Sequence, residues 1–181
     1  IGDREKLMAR ISDMLDRRWF TNDGPYVKEF ESRLADYTGV EHVVAMTNAT
    51  IAQEIAVRAA GVVGEVIVPS FTFVATAHAL QWQEITPVFG DIAPGGYNLD
   101  PAQIEKLITP RTTAIIGVHV YGVPCAIDEL SAIARRHGLH LMFDAAHAPG
   151  CSYQGQMIGG FGEAEIFSFH ATKFMNSFEG G

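Results

Sequence analysis

The sequence predicts an α/β domain whose core is a mostly parallel sheet. Helical and strand patterns alternate along the 181 residues, the order expected when parallel strands are joined by crossover helices. Residues 113–120 form an apolar, β-branched run without polar alternation, and such runs are typical of strands covered on both faces. The composition, 48% hydrophobic and 19% charged, is sufficient for a sizeable core and excludes a disordered chain.

In the first half of the chain, helical periodicity and turn residues set the predicted boundaries. Leu7, Ile11 and Leu15 form an apolar stripe at helical spacing, so a helix is predicted over residues 3–18. Pro25 suits the first turn of a second helix, which ends near Gly39. The other predicted elements are a buried strand at 42–46, a helix that comes with residues 47–50 and runs through Ala60, a strand at 65–68, a helix at 72–83 and a strand at 87–89.

In the second half, the clearest signal is a helix start. Asp100 is predicted to cap it, Pro101 takes the first helical position and Gln103 completes a pattern like a capping box. Strands are predicted at 113–120, 139–143 and 165–169, and a helix at 127–137. With strands and helices alternating this way, we expect helices on both faces of the sheet.

Charge and motifs exclude several classes of function. The formal net charge of −8 disfavours binding to nucleic acid or anionic membranes, and no apolar stretch reaches the ~18 residues of a membrane span. The sequence has no His-Glu-x-x-His zinc motif, P-loop, dinucleotide fingerprint or nucleophile elbow, so no metal site is expected. Cys125 and Cys151 lack metal-ligand spacing and no export signal opens the chain, so a reducing cytoplasm is expected.

Two ionisable residues directly follow predicted strands, where ligands bind in open α/β sheets. Asp144 follows an apolar strand and would point its carboxylate into the crevice; a helix N-cap is the alternative. Lys173 follows the last strand among aromatic and small residues, where desolvation would lower its pKa and make it a usable nucleophile. The alternative for Lys173 is an amine that reaches solvent from the rim.

Hydroxyl and aromatic side chains at the same edge are weaker candidates. Thr50 and Ser168 lie next to predicted helix starts, so they are candidates for phosphate binding, with helix capping as the alternative. Phe73 could stack on a flat ring or belong to the core. Phe71 and Trp82 are predicted to be core residues.

Taken together, these residue types suit one cofactor. Pyridoxal 5'-phosphate (PLP) needs a lysine that forms a Schiff base, a carboxylate on its ring nitrogen, phosphate donors and a stacking group. Asp144 precedes Lys173 by 29 residues, Ser168 lies five residues before that lysine, and Phe73 follows an earlier strand. The spacing therefore favours PLP.

Six segments then point to a family. They are GP at 24–25 before FE at 30–31, PSFTFVAT at 69–76, HVYG at 119–122, FDAAHA at 143–148, FSFHATK at 167–173 and FEGG at 178–181. With these segments the chain resembles the DegT/DnrJ/EryC1/StrS sugar aminotransferases over nearly all of its length. The segments around Asp144 and Lys173 are the most specific part of the resemblance.

The resemblance implies a role for each candidate residue. Lys173 would form the Schiff base with PLP and later move a proton, and Asp144 would keep the pyridine nitrogen protonated. His147 would lie near the phenolic oxygen of the ring. The residues implied to bind the phosphate or stack on the ring are Asn48, Ala49, Thr50, Ser168 and Phe73.

Two positions depart from the family pattern. Ala49 stands where the family more often has glycine, which affects how tightly the phosphate loop can turn. His147 stands where many members have glutamine, and unlike glutamine it can change charge near neutral pH.

The resemblance implies transfer of an amino group from an amino acid, expected to be glutamate, to a keto sugar carried on a nucleotide. Related dehydratases have histidine in place of Lys173, so the lysine favours transamination. HATK at 170–173 and EGG at 179–181 are more similar to members that aminate C4 than to those that aminate C3. The alternatives left open are action at C3 or on an inosose, a dehydratase of the same family, and a non-catalytic PLP-binding regulator.

The resemblance also implies a fold-type I PLP enzyme, in which a small C-terminal domain follows the large domain and the protein is a dimer. We expect an N-terminal helical segment at 1–23 and an incomplete PLP-binding large domain at 24–181, without the small C-terminal domain. An open strand edge near Phe169 would make residues 1–181 fold poorly alone.

Overall fold

The computed structural model describes residues 2–181, which form two compact units. The first extends to Ala45, and the second comprises Met46–Gly181. No helix among residues 2–181 is long and apolar enough to cross a membrane. The predicted boundary between residues 23 and 24 stays a prediction.

The first unit consists of two helices with well-formed ends. Helix α1 is Arg4–Arg17, and the carboxylate of Asp3 caps it by accepting hydrogen bonds from the N–H groups of Glu5 and Lys6. Helix α2 is Pro25–Thr38 and ends at Gly39, whose φ of 75° is in the left-handed region that glycine adopts readily. Both helices confirm the predictions.

The predicted strand at 42–46 is wrong. None of these residues is buried, and the segment runs without a partner strand. Met46 exchanges backbone hydrogen bonds with Gly181, which is a single pair and not a ladder. The apolar residues that suggested a buried strand do not reach a core, because no second strand lies beside them.

The second unit contains a five-stranded sheet in the order β2-β1-β3-β4-β7, and every ladder in it is parallel. This confirms the predicted mostly parallel sheet. Two short strands that were not predicted, β5 and β6, form a separate antiparallel hairpin. The strands are β1 Glu65–Pro69, β2 Thr86–Gly90, β3 Thr112–Val118, β4 His140–Asp144, β5 Ser152–Tyr153, β6 Gln156–Met157 and β7 Ala164–Ile166.

The second unit also contains four helices and one turn of 3-10 helix; the first of these helices precedes β1, and the others lie between strands. The helix predicted at 72–83 is shorter than expected, because residues 72–74 form the loop that leaves β1. Asp100 caps its helix as predicted, by accepting from the Ala102 N–H. The elements are α3 Ala49–Ala59, α4 Ala75–Gln81, α5 Pro101–Ile104, the 3-10 turn Val120–Gly122 and α6 Ile127–His137.

The core lies on both faces of the sheet, as predicted. Alternate strand residues point to opposite faces, so Ile115 packs with α5 and α6 while its neighbour Ile116 packs with α3 and α4. Both side chains are at most 1% exposed. Burial of both faces explains why β3 is an uninterrupted apolar run.

A fully buried carboxylate ties the ends of two strands together. Glu165 in β7 accepts a hydrogen bond from His119 Nε2 at 3.1 Å, and its other oxygen accepts from the N–H groups of Gly159 and Phe161. His119 Nδ1 accepts from the Cys125 N–H, so the proton of this imidazole is on Nε2. Neither side chain is exposed to solvent, so the three groups that donate to Glu165 have its carboxylate as their acceptor and no water in its place.

Glu165→Ala should lower the free energy of unfolding by about 3 kcal/mol or more, since each buried donor left unpaired costs about 1–3 kcal/mol. Chemical denaturation of the intact protein measures this loss. Glu163→Ala is the matched control, because Glu163 is half-exposed in its pair with His140 and should cost less than about 1 kcal/mol. Equal losses in the two variants would contradict the role assigned to Glu165.

Candidate active site

A cavity of about 710 Å³ opens at the carboxyl ends of the parallel strands. Its walls are the segments that follow β1, β3, β4 and β7, together with the first turn of α3, all within the second unit. The volume lies in the range of small-molecule and cofactor sites. All eight residues singled out in the sequence line this cavity: Asn48, Ala49, Thr50, Phe73, Asp144, His147, Ser168 and Lys173.

Asp144 is the last residue of β4, and its side chain is buried, with 8% of the residue exposed. Thr76 Oγ1 donates to Asp144 Oδ2 at 2.8 Å, and the Ala146 N–H donates to Oδ1 at 3.1 Å. No helix follows Asp144, so the helix-cap alternative is wrong. Its carboxylate is held in the cavity wall by two neutral donors.

A chain of hydroxyl groups supports this carboxylate. Thr76 has one hydroxyl proton and gives it to Asp144, so Thr72 is the donor in the 2.8 Å contact between Thr72 Oγ1 and Thr76 Oγ1. The backbone of Thr76 is fixed in turn, because its carbonyl accepts from Gln53 Nε2 at 3.3 Å. Thr76 and Gln53 are almost fully buried, with 0% and 2% exposure.

Lys173 lies in a loop that leaves the sheet after β7. Backbone hydrogen bonds from Phe169 to Gly180 and from Ser177 to Phe169 close this loop into a compact unit. Lys173 is half-buried and lines the cavity, and no carboxylate among residues 2–181 forms an ion pair with its amine. An amine placed in this way is available to a ligand in the cavity.

His147 lines the same cavity, and both ionisable groups act on its imidazole. Burial lowers the pKa of its imidazole, the positive charge of Lys173 lowers it further, and the negative charge of Asp144 opposes both effects. The Tyr121 N–H donates to Nδ1 at 3.3 Å. The lowered pKa favours the neutral form of this ring at pH 7.

The first turn of α3 supplies free backbone donors. Asn48 caps this helix by accepting from the Ile51 N–H at 2.9 Å. The N–H groups of Ala49 and Thr50 belong to the first turn and have no acceptor within the helix. Because Asn48 is the cap and no helix follows Ser168, the capping alternative for Thr50 and Ser168 is wrong.

Aromatic side chains at the cavity mouth are exposed. Phe73 lines the cavity with 71% of the residue accessible to solvent, so it is not a core residue. The prediction that Phe71 and Trp82 are core residues is wrong, since they are 41% and 73% exposed. Phe71 instead forms an aromatic cluster with Tyr97 and Tyr121.

Sequence reasoning missed three residues that shape the site. Thr76 and Gln53 hold Asp144 in place, and Tyr121 contacts His147. Thr76 and Tyr121 fall inside the PSFTFVAT and HVYG segments, which mark them as residues near the site without indicating their contacts. Their partners are 68 and 26 residues away, so no local pattern could identify them.

Comparison with known proteins agrees with this geometry. The model of the DegT/DnrJ/EryC1/StrS aminotransferase family matches residues 2–181. The chain belongs to this family. The resemblance inferred from the sequence is thereby confirmed, and so is the fold class that it implied.

Two curated members of the DegT/DnrJ/EryC1/StrS family are similar over nearly all of this chain. One is the dTDP-4-amino-4,6-dideoxy-D-glucose transaminase of Escherichia coli, 40% identical over 179 residues, or 97% of this chain and 48% of that protein. The other is the GDP-perosamine synthase of Caulobacter vibrioides, 42% identical over 173 residues, or 94% and 47%. The chain spans about half the length of the curated relatives it matches.

A solved structure is also similar to this chain. The crystal structure of DesI in the presence of its TDP-sugar product superposes with a TM-score of 0.96 at 54% sequence identity. The match covers 98% of this chain and 45% of the DesI chain. The backbone of this chain, including the segments around the cavity, therefore closely follows that of DesI over the matched region.

The cavity fits PLP, the cofactor of this family. It offers a buried carboxylate for a ring nitrogen, an unpaired amine for an aldehyde, and free N–H groups at the start of α3 for a phosphate. An exposed phenylalanine at the mouth can cover the face of a ring. Each group that the cofactor requires is present in one cavity.

His147 should titrate below the value of about 6.5 that an exposed imidazole shows, because burial and Lys173 both lower its pKa. NMR titration of the histidine side chains in the cofactor-free protein measures the midpoint. Lys173→Ala should move that midpoint to higher pH by removing the positive charge, whereas Lys106→Ala, at an exposed site, should not. A midpoint above about 6.5 in the unmodified protein would contradict the assignment.

Proposed function

We propose that this chain is the cofactor-binding part of a PLP-dependent aminotransferase that acts on a nucleotide-linked 4-keto-6-deoxy sugar. The observation that carries the proposal is that one cavity holds both the buried carboxylate of Asp144 and the amine of Lys173. The membership of the chain in an aminotransferase family supports it. The amino group would come from an amino acid, expected to be glutamate.

Asp144 and Lys173 are the proposed catalytic residues. Asp144 would hold the pyridine nitrogen of PLP, and its two neutral donors leave the carboxylate charge for that nitrogen instead of neutralising it with a cation. Lys173 would bind the cofactor through its amine and, once displaced by a substrate amine, carry the proton at the reacting carbon. When bound, PLP supplies the electron sink and carries the amino group from donor to acceptor.

The other cavity residues would orient the cofactor. Asn48 and Ala49 shape the first turn of α3, where the N–H groups of Ala49 and Thr50 would bind the phosphate together with the Ser168 hydroxyl. Phe73 would cover the face of the ring. His147 would donate a hydrogen bond from Nε2 to the phenolic oxygen.

The substrate assignment rests on similarity and on the loop that carries Lys173. A dTDP-4-amino-4,6-dideoxy-D-glucose transaminase and a GDP-perosamine synthase are at least 40% identical to this chain, and DesI was crystallised with a TDP-sugar product. The HATK and EGG segments are more similar to members that aminate C4 than to those that aminate C3. His170, Thr172 and Glu179 of this loop line the cavity and supply polar groups for a sugar.

We also propose how the chain is organised and where it acts. Residues 24–181 would be part of a large cofactor domain preceded by a helical segment at 1–23, and the protein would be a homodimer in the cytoplasm. The separation of an N-terminal helical unit supports the first point, although the compact unit extends to Ala45.

With PLP and 15N-glutamate, the intact protein should convert a nucleotide-linked 4-keto-6-deoxy sugar into the 15N-labelled amino sugar, detected by mass spectrometry. The keto oxygen of the sugar is replaced by the labelled amino group, and glutamate leaves as its keto acid. Lys173→Ala should lower the rate by about 10²–10⁴-fold or more, since it removes the proposed acid–base group. Lys106→Ala, at an exposed site, is the matched control and should retain the rate.

Each of the following alternative results would contradict one part of the proposal. Transfer to 3-keto sugars or inososes alone would overturn the substrate, and loss of a hydroxyl group without transfer would indicate a dehydratase. Cofactor binding without turnover of any of these substrates would indicate a regulator. Borohydride treatment that leaves no pyridoxyl adduct on Lys173 would overturn the cofactor assignment itself.

A further inference from the structure

The turn after β3 holds Tyr121 in a conformation that bulky residues rarely adopt. Its φ of 54° and ψ of 25° lie in the left-handed region, which is unfavourable for residues with a Cβ. The next residue, Gly122, also has positive φ, and a Cβ there would lie 3.1 Å from the carbonyl oxygen of His147. Strain of this kind persists only where the surroundings fix the backbone, and it is concentrated at functional sites.

Hydrogen bonds from a second loop fix both ends of this turn. Asn98 Oδ1 accepts from the Val120 N–H at 3.1 Å, and Asn98 Nδ2 donates to the Val123 carbonyl at 2.9 Å. Within the turn, the Gly122 N–H donates to the carbonyl of His119. Hydrogen bonds therefore hold the backbone on both sides of Tyr121.

The fixed turn makes two contacts with His147. The Tyr121 N–H donates to His147 Nδ1 at 3.3 Å, and the rings of the two residues are parallel within 1°, with centroids 5.9 Å apart. The hydrogen bond makes Nδ1 the acceptor, and the stacked ring of Tyr121 fixes the plane of the imidazole. Tyr121 makes both contacts from its left-handed conformation.

We propose that Tyr121 is a positioning residue that holds His147 as the neutral tautomer with its proton on Nε2. Since Nδ1 accepts the Tyr121 N–H, the single proton of the neutral ring must be on the other nitrogen. Among residues 2–181, Nε2 of His147 has no hydrogen-bond partner, and the ring lines the cavity. The turn thus presents a fixed N–H donor to whatever occupies the cavity.

The same contact opposes protonation of His147. A second proton would go to Nδ1 and face the Tyr121 N–H, so two donors would meet. The charged groups acting on the ring are Lys173, which also opposes protonation, and Asp144, which favours it. The backbone donor therefore adds to the effect of burial and Lys173 in keeping the imidazole neutral.

The use of this donor rests on the proposed function, in which the acceptor is the phenolic oxygen of PLP. The tautomer itself does not depend on the cofactor. A glutamine at this position can also donate from its side chain, but histidine can titrate or change tautomer. A residue that fixes one tautomer gives His147 the constant donor that a glutamine would provide.

An amide-to-ester replacement at Tyr121 tests this by removing the N–H while retaining the ring. In the intact, cofactor-free protein labelled with 15N-histidine, NMR should place the His147 proton on Nε2, with a midpoint below about 6.5. In the ester variant, a population with the proton on Nδ1 should appear and the midpoint should move to higher pH. His147→Gln identifies the resonances of His147 among the seven histidines.

Tyr121→Phe is the matched control, because it retains the N–H and the aromatic ring and should leave tautomer and midpoint unchanged. Asn98→Ala keeps the Tyr121 N–H but removes both hydrogen bonds that fix the ends of the turn. The strained backbone can then relax, so tautomer and midpoint should change in the same direction as in the ester, and this variant serves if the ester variant does not fold. A proton on Nδ1 in the unmodified protein, or an unchanged tautomer in both the ester and the Asn98→Ala variants, would overturn the proposal. Failure of PLP to bind would overturn the proposed function instead and leave the tautomer measurement valid.

Discussion

A carboxylate that is removed from water needs hydrogen-bond donors, and the site depends on how Asp144 obtains them. Burial of an unpaired charge is costly, so Asp144 at 8% exposure requires the hydroxyl of Thr76 and the N–H of Ala146. Both donors are neutral. The negative charge therefore remains available to a cationic ring nitrogen, which is the property that a PLP enzyme needs.

The parallel sheet is what brings the other groups to Asp144. Because all five strands run in the same direction, the segments that follow β1, β3, β4 and β7 meet at one edge. The buried pair of His119 and Glu165 joins the ends of β3 and β7, on either side of β4. The strand that carries Asp144 is thus held between two neighbours whose own ends are fixed.

Local sequence signals predicted most of the architecture, and together with the family resemblance they singled out eight residues that line the cavity. The apolar run of β3, the capped start at Asp100 and the helix at 127–137 all follow from short-range patterns. Prediction failed where tertiary contacts decide. The apolar segment at 42–46 has no partner strand, and residues 72–74 form part of the loop that places Thr76 against Asp144.

Contacts between residues far apart in sequence could not be predicted from local sequence patterns either. The Thr76 hydroxyl that donates to Asp144 is 68 residues away in sequence. The backbone N–H that donates to His147 belongs to Tyr121, whose left-handed conformation cannot be predicted from its residue type. The sequence singled out candidate residues that line one cavity. The structure adds which neighbours set their charge and orientation.

The most direct test of the account is the protonation state of the cofactor ring in the intact protein. PLP labelled with 15N in its ring and bound to the protein should show by NMR a protonated pyridine nitrogen, because the buried carboxylate of Asp144 faces it. Asp144→Asn should shift that nitrogen to the neutral form, and Thr76→Val should shift it part of the way by removing one donor to the carboxylate. A neutral ring nitrogen in the unmodified protein, or a protonated one that is insensitive to Asp144→Asn, would contradict the account.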